Sequence, residues 1–96
     1  MAAYIIIRVK VIDWDRYREY MARTPAALAK YGGRFIARGG ENVTLEGPTE
    51  TRRLALVEFP SMDQAKTFYA SPDYQAARAF RDGACEAEFV ALDGLP

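Results

Sequence analysis

Strand-forming and helix-forming patterns alternate along the chain, beginning with an extended segment. Residues 4 to 12 are dense in β-branched side chains and predict the first strand. Shorter runs of the same character predict strands over residues 34 to 38, 53 to 59 and 84 to 92. Residues 43 to 45 are a candidate for a small additional strand. The pattern therefore predicts four principal strands.

The first helix is predicted between the first two strands. Asp13 can cap its amino terminus, and apolar residues then recur at helical spacing from Trp14 to Leu28. Pro25 interrupts this pattern because proline has no backbone N–H to donate. Thr24 can cap a new turn that has Pro25 as its first residue. We therefore expect the helix to kink or restart at Pro25.

Two start signals predict helical segments between the third and fourth strands. Ser61 followed by Gln64 matches a capping box, in which the two side chains satisfy backbone N–H groups reciprocally. Ser71 followed by Pro72 repeats the signal, with a capping hydroxyl and a proline at the first helical position. The second segment is expected to continue to a turn at residues 82 and 83.

The predicted elements follow the order β-α-β-β-α-β when the two helical segments near the end are counted as one broken helix. That order is typical of a ferredoxin-like α+β fold, in which a four-stranded antiparallel sheet carries its helices on one face. A chain of 96 residues can bury somewhat over ~60% of the surface that its unfolded state exposes. We expect residues 1 to 96 to form a single ferredoxin-like domain.

The sheet face that points away from the helices has no predicted cover. Residues 4 to 7 and residues 89 to 92 are apolar at successive positions, so both faces of these strands carry apolar side chains. The chain has no spare element to lie over the second face. A second copy of the same sheet is the simplest cover. We therefore expect a homodimer.

Charge and composition narrow the choice of partner and compartment. Thirteen basic side chains balance thirteen acidic ones, with eight against five in residues 1 to 48 and five against eight in residues 49 to 96. This distribution leaves no basic patch, so nucleic acid is not an expected partner. No run approaches the ~20 apolar residues that span a bilayer, so a membrane is not expected either. The single cysteine, Cys85, and the absence of a signal-peptide pattern favour the cytoplasm.

Several segments together resemble a known family: residues 31 to 40, 56 to 61, 68 to 75, and Arg78. They resemble the domain-of-unknown-function 1330 family, within the dimeric α/β-barrel superfamily, over about residues 3 to 94. The resemblance implies a ferredoxin-like protomer whose sheet pairs with that of a second copy to close a barrel around a cavity. Relatives by fold include cofactor-free monooxygenases and muconolactone isomerase-like enzymes. The family itself has no agreed reaction, so the resemblance assigns no catalytic residue.

The chain contains no histidine, and this absence excludes several kinds of site. Ser-His-Asp and Cys-His nucleophilic sites, zinc sites built on histidine, and a proximal histidine for haem all require the missing side chain. One cysteine cannot form a thiolate cluster, and no glycine-rich phosphate loop opens a helix. We expect neither a metal nor a cofactor.

Glu58 is the candidate catalytic residue. It lies among Leu56, Val57 and Phe59, so burial would raise its pKa and suit it to act as a general base. Alternatively, Glu58 points outward on the pleated strand or forms an ion pair with an arginine. The sequence leaves both environments open.

Four further residues are candidates for binding a ligand. Arg38 lies where an apolar strand meets a glycine turn, and its guanidinium could hold a carboxylate in a bidentate fashion. Alternatively, it pairs with a glutamate or is solvated. Tyr69, Tyr74 and Arg78 lie on either side of the bend at Ser71, where they could converge on a small anionic or aromatic ligand. The alternative is that the two tyrosines only pack in the core.

Two functions agree with these observations. The first is a homodimeric small-molecule-binding protein, with or without cofactor-free oxygenase or isomerase activity, that takes a small apolar or carboxylated compound. The second is a non-catalytic stress-response or self-association module that has no ligand. A cavity between sheet and helices would favour the first function, and a fully packed interior would favour the second.

Overall fold

Four strands and three helices make up the protein in a computed structural model that describes all 96 residues. The elements in chain order are β1 (Ala3–Val11), α1 (Trp14–Lys30), β2 (Arg34–Arg38), β3 (Arg53–Phe59), α2 (Met62–Ala70), α3 (Pro72–Ala79) and β4 (Cys85–Asp93). Strands β2 and β3 have the predicted bounds. Strand β1 begins and ends one residue earlier than predicted, and β4 begins and ends one residue later. The additional strand predicted at residues 43 to 45 does not form.

The strands form one antiparallel sheet in the order β2-β3-β1-β4. Alternate residues of β1, namely Ala3, Ile5, Ile7 and Val9, are buried against the helices, while the residues between them point to the other face. The predicted ferredoxin-like α+β fold is therefore confirmed. This topology places β4 at one edge of the sheet and β2 at the other.

Helix α1 runs through Pro25 without interruption, so the predicted restart is wrong. Asp13 caps the helix as expected, since its carboxylate accepts a hydrogen bond from the Arg16 backbone N–H at 3.2 Å. Thr24 does not cap a new turn, because its hydroxyl donates to the Tyr20 carbonyl at 2.8 Å.

The bend between α2 and α3 depends on one serine. The Ser71 hydroxyl donates to the Phe68 carbonyl at 2.7 Å at the end of α2 and accepts from the Tyr74 N–H at 3.1 Å at the start of α3. Pro72 then occupies the first position of α3. None of the three helices is long and apolar enough to cross a membrane.

The core between the sheet and the helices is rich in aromatic rings. Phe68 lies at its centre, with its ring centroid 5.1 Å from that of Phe59 and 4.7 Å from that of Tyr74. All three side chains are buried. Such contacts add to the stabilisation from removing the rings from water. These aromatic side chains therefore pack α2 and α3 against the sheet.

The opposite face of the sheet carries an apolar row across three adjacent strands. Ile6 is the register partner of Leu56 on β3 and of Val90 on β4, so these three side chains lie side by side. Val90 is 52% exposed. Ile6 and Leu56 are half-buried, and the loop at residues 40 to 42 borders them. No helix or strand of the chain covers this face, as expected. We call these three residues the open-face row.

Candidate functional site

A crevice of about 460 Å³ opens between α2, α3 and the edge strand β4. We call it the edge crevice. The residues that line it are Ile5, Ala65, Lys66, Tyr69, Arg78, Arg81, Ala87, Phe89 and Ala91. The volume lies within the range of ~300–1,000 Å³ that is usual for small-molecule sites. The edge crevice can therefore hold a ligand with one or two rings.

The charge of the edge crevice is one-sided. Lys66, Arg78 and Arg81 line it, and no acidic side chain does. None of these three cations belongs to an ion pair elsewhere in the structure. Most of the remaining lining is apolar. The edge crevice thus has an apolar interior and an excess of positive charge, which favours an apolar ligand that carries an anionic group.

Arg81 is the most unusual of these residues, because it is a charged side chain that is only 9% exposed. Its guanidinium lies near two rings, with the carbon 5.2 Å from the ring centroids of Tyr20 and Phe89. One terminal nitrogen, Nη2, donates to the Tyr74 hydroxyl at 3.3 Å. The Nε atom is buried and has no hydrogen-bond partner. Arg81 therefore carries a buried positive charge that forms no ion pair, although Asp82 lines a neighbouring cavity together with it.

Arg81 is not among the candidate residues above, although the sequence contains a signal for it. Arg81 follows the predicted ligand residue Tyr74 by seven residues, so two helical turns bring it to the same side of the helix. A basic residue on a core-facing side is rare unless it has a partner. The pattern indicated continuation of the helix, and it could also have indicated a buried cation.

A pair of buried tyrosines lies next to Arg81. The hydroxyl groups of Tyr20 and Tyr74 are 2.9 Å apart and share a hydrogen bond. Burial, followed by the neighbouring Tyr74 hydroxyl, raises the pKa of Tyr20 well above its ordinary value. Tyr20 is therefore a neutral phenol at physiological pH. The Tyr74 hydroxyl is shared by two partners, Tyr20 and Arg81, and links α1 to the edge crevice.

This sharing predicts unequal effects for two similar substitutions. Tyr74→Phe leaves both the Tyr20 hydroxyl and the Arg81 Nη2 without their partner, and we expect it to lower the free energy of unfolding by ~1–3 kcal/mol. Tyr20→Phe leaves Tyr74 bonded to Arg81, and we expect a smaller loss. Urea unfolding measures both, and Tyr69→Phe is the control because the Tyr69 hydroxyl makes no hydrogen bond in the protein. Equal losses for Tyr74→Phe and Tyr20→Phe would show that Arg81 does not depend on Tyr74.

The structure brings three of the four predicted ligand residues together. Tyr69 and Arg78 line the edge crevice. Tyr74 lies behind its wall, fully buried, with its ring centroid 5.2 Å from that of Tyr69. Tyr74 can reach a ligand only through its contacts with Tyr69, Phe89 or Arg81. Tyr69 and Arg78 thus lie close to one another beside the bend, as expected. Their role in binding stays a prediction.

The fourth predicted ligand residue, Arg38, lies at the opposite edge of the sheet. Its Nη2 donates to the Met21 carbonyl at 2.9 Å, and its guanidinium lies over the Phe35 ring at 4.2 Å. Pro25 has no N–H with which to satisfy that carbonyl in the helix. Arg38 therefore supplies the hydrogen bond that Pro25 cannot.

Arg38 borders two cavities. The one toward the core, about 20 Å³, has room for about one water molecule. The other, about 350 Å³, lies on the open face of the sheet, between Ile6, Leu56 and the loop at residues 40 to 42.

Glu58 lies on the open face of the sheet, away from the edge crevice. Arg34 donates to its Oε1 from Nε at 2.9 Å and from Nη2 at 2.8 Å. Of the environments that the sequence left open, the structure thus shows the ion pair with an arginine. The hydrogen bonds from Arg34 lower the pKa of Glu58 despite partial desolvation, so Glu58 lacks the raised pKa that would suit it to act as a general base. Glu58 is an ionised carboxylate held by its partner.

The structure shows no set of side chains that is arranged to bind a metal ion. No group of three or more Asp, Glu or Cys side chains is arranged to hold an ion.

A comparison with protein families identifies one match. The family model described as domain of unknown function 1330 matches residues 2–95. No curated protein matches the chain.

Solved structures share the fold at low sequence identity. A protein of unknown function from Rhodopseudomonas palustris, RPA0582, is 17% identical with a TM-score of 0.77, covering 99% of this chain and 83% of that one. A dimeric ferredoxin-like protein of unknown function from Jannaschia sp. CCS1 is 18% identical with a TM-score of 0.72, covering 98% and 100%. SnoaB, a cofactor-independent oxygenase from Streptomyces nogalater, is 14% identical with a TM-score of 0.69, covering 99% and 94%.

Proposed function

This chain belongs to the family described as domain of unknown function 1330, and from that premise we propose that it is a homodimer that binds a small apolar or carboxylated compound in the edge crevice of each protomer. The observation that carries the proposal is an open cavity of about 460 Å³ with apolar walls and unpaired cations. A module that only self-associates has no need of such a cavity. We also propose that residues 1 to 96 form a single domain.

The homodimer is supported by the open face of the sheet. The open-face row of Leu56, Ile6 and Val90 presents adjacent apolar side chains that no element of the chain covers. Exposed apolar patches of this kind mark association surfaces. The Jannaschia protein that shares the fold is described as dimeric. Pairing two such faces leaves each edge crevice outside the interface, because the crevice lies on the helix side of the sheet.

The residues of the edge crevice have distinct parts in this proposal. Phe89 and the small side chains of Ala87 and Ala91 accommodate the apolar body of the ligand. Tyr69 and Arg78 at the wall orient it. Cofactor-free oxygenation or isomerisation of the bound compound is the finer part of the proposal, supported by the description of SnoaB as a cofactor-independent oxygenase. Glu58 has no part in it, because it lies on the other face of the sheet in an ion pair.

A substitution that fills the edge crevice tests its role. Ala91 lines the crevice and is exposed, so Ala91→Phe adds a ring there without disturbing the core. We expect the fluorescent dye anilinonaphthalene sulfonate, an apolar anion, to bind the wild-type protein and to bind Ala91→Phe at least tenfold more weakly. Fluorescence titration gives both dissociation constants.

Ala29→Phe is the matched control, because Ala29 is an exposed alanine on α1 that lies outside the edge crevice. We expect it to bind the dye as the wild type does. A dye that binds all three proteins equally would be bound elsewhere, for example on the open face, and would remove the support for a ligand in the edge crevice. A wild-type protein that binds no dye would favour the module without a ligand.

A further inference from the structure

Arg81 is costly where it lies. A guanidinium has five N–H donors, and in this structure only one oxygen, the Tyr74 hydroxyl, accepts from Arg81. A second contact joins Nη1 to the Cys85 sulfur at 4.0 Å, which is a weak acceptor. Burying a charge without a counter-ion opposes folding, and proteins normally pair such groups. An anionic partner from outside the chain would therefore stabilise the Arg81 guanidinium.

The surroundings hold the guanidinium in one place. The rings of Tyr20 and Phe89 lie 5.2 Å from its central carbon, and the Tyr74 hydroxyl accepts from Nη2. Aromatic faces attract a cation but do not neutralise it. An anion that arrives in the edge crevice meets a guanidinium whose orientation is already set, which lowers the entropy lost on binding.

We propose that Arg81 is the anchor of the edge crevice and that the ligand carries a carboxylate on a flat apolar body. This inference rests on the proposed function, since it names the ligand class and the specificity-determining residue of the same crevice. Arg81 lines the crevice beside Phe89, so a carboxylate that reaches the guanidinium places the attached ring against an aromatic wall. Lys66 and Arg78 add positive charge along the same crevice.

Arg81 and Arg78 differ in a way that makes the proposal testable. Arg78 is exposed and already solvated by water, so its attraction to an anion is screened. Arg81 is nine-tenths buried, and a carboxylate bound to it replaces no strong protein partner. Charge-assisted hydrogen bonds in such a low-dielectric setting are stronger than those at the surface. The buried arginine, not the exposed one, therefore determines the affinity for the carboxylate.

The first test uses the wild-type protein and two matched probes. Naphthoate has a carboxylate on a flat apolar body, and its methyl ester has the same rings without the charge. We expect isothermal titration calorimetry to show naphthoate binding at least tenfold more tightly than the ester. Inorganic phosphate, an anion without an apolar body, is expected to bind more weakly than naphthoate. Equal affinities for naphthoate and its ester would overturn the assignment of a carboxylate.

The second test separates an anchor from a structural residue. Arg81→Met replaces the guanidinium with an unbranched apolar side chain, and we expect naphthoate affinity to fall at least tenfold while affinity for the ester changes less than twofold. We expect the unfolding temperature of the ligand-free protein to stay the same or rise, because an unpaired buried charge has been removed. Arg81→Lys keeps the charge and is expected to retain part of the affinity for naphthoate. Arg78→Met is expected to lower it no more than threefold.

The outcomes distinguish this inference from the proposed function. If neither naphthoate nor its ester binds, and Ala91→Phe changes nothing, the crevice is not a binding site and both fail. If both probes bind and Ala91→Phe weakens both, but Arg81→Met binds naphthoate like the wild type, only the role of Arg81 fails. If Arg81→Met lowers the unfolding temperature and leaves both affinities unchanged, Arg81 is a structural residue.

Discussion

Val90→Lys is expected to convert the protein from a dimer to a monomer. Val90 lies in the open-face row beside Ile6, which in turn lies beside Leu56. Pairing two open faces would bury these side chains in the interface. A lysine in that position has to lose the hydration of its ammonium group, which costs several kcal/mol when the charge gains no partner. The acid two residues along the same face of β4, Glu88, already pairs with Arg52. Since each 1.4 kcal/mol is tenfold in affinity, we expect the dimer to weaken at least a hundredfold.

Light scattering behind a sizing column, over a hundredfold range of protein concentration, measures the effect. The wild type is expected near twice 10.8 kDa throughout the range and Val90→Lys near 10.8 kDa. Val90 is 52% exposed in the isolated protomer, so we expect the variant to fold, and circular dichroism checks this. Phe80→Lys is the control, because Phe80 is a partly exposed apolar residue at the end of α3 and cannot contact a partner across the sheet. A wild-type monomer would overturn the proposed homodimer.

Local signals in the sequence were sufficient to predict most of the fold. The serines at positions 61 and 71 lie at the starts of α2 and α3 because each hydroxyl accepts from a backbone N–H three residues later. Such caps act over a few residues, so a single sequence contains them in full. The predicted restart of α1 at Pro25 was wrong because the effect of this proline depends on a residue that is distant in sequence. Arg38 supplies the missing hydrogen bond from β2.

The candidate site was harder to predict for the same reason. Whether Glu58 is a base with a raised pKa or an ionised partner of Arg34 depends on the register between β2 and β3. Strand 34–38 contains a bulge at Ile36, so Arg34 and Arg38 point to opposite faces of the sheet. The sequence shows both arginines and cannot show the bulge. Tyr69 and Arg78 lie in the same crevice because they flank a local bend, which the sequence does show.

Phe68→Ala is expected to have the largest effect on stability, a loss of ~3–5 kcal/mol in the free energy of unfolding. Phe68 is buried, and its ring contacts Phe59 on β3, Tyr31 after α1 and Tyr74 on α3. The loss combines the transfer of the ring to water with the cavity that it leaves. Small domains have only ~5–15 kcal/mol of stability in total, so this loss is a large fraction of it. Urea unfolding followed by circular dichroism measures the loss.

Phe80→Ala is the matched control, since it removes the same ring from a position that is 40% exposed. The Phe80 ring is partly buried, and the Arg23 guanidinium lies 3.7 Å from its centroid. We expect Phe80→Ala to cost less than half as much as Phe68→Ala, because it leaves no closed cavity. The contrast also bears on the edge crevice. Phe68 supports the ring of Tyr74, and Tyr74 holds Arg81, so a cavity at Phe68 loosens the wall that positions the guanidinium. We therefore expect any Phe68→Ala protein that remains folded to bind naphthoate more weakly than the wild type. Unchanged naphthoate affinity in the folded variant would show that Arg81 is positioned by its two aromatic neighbours, Tyr20 and Phe89, without the help of the aromatic core.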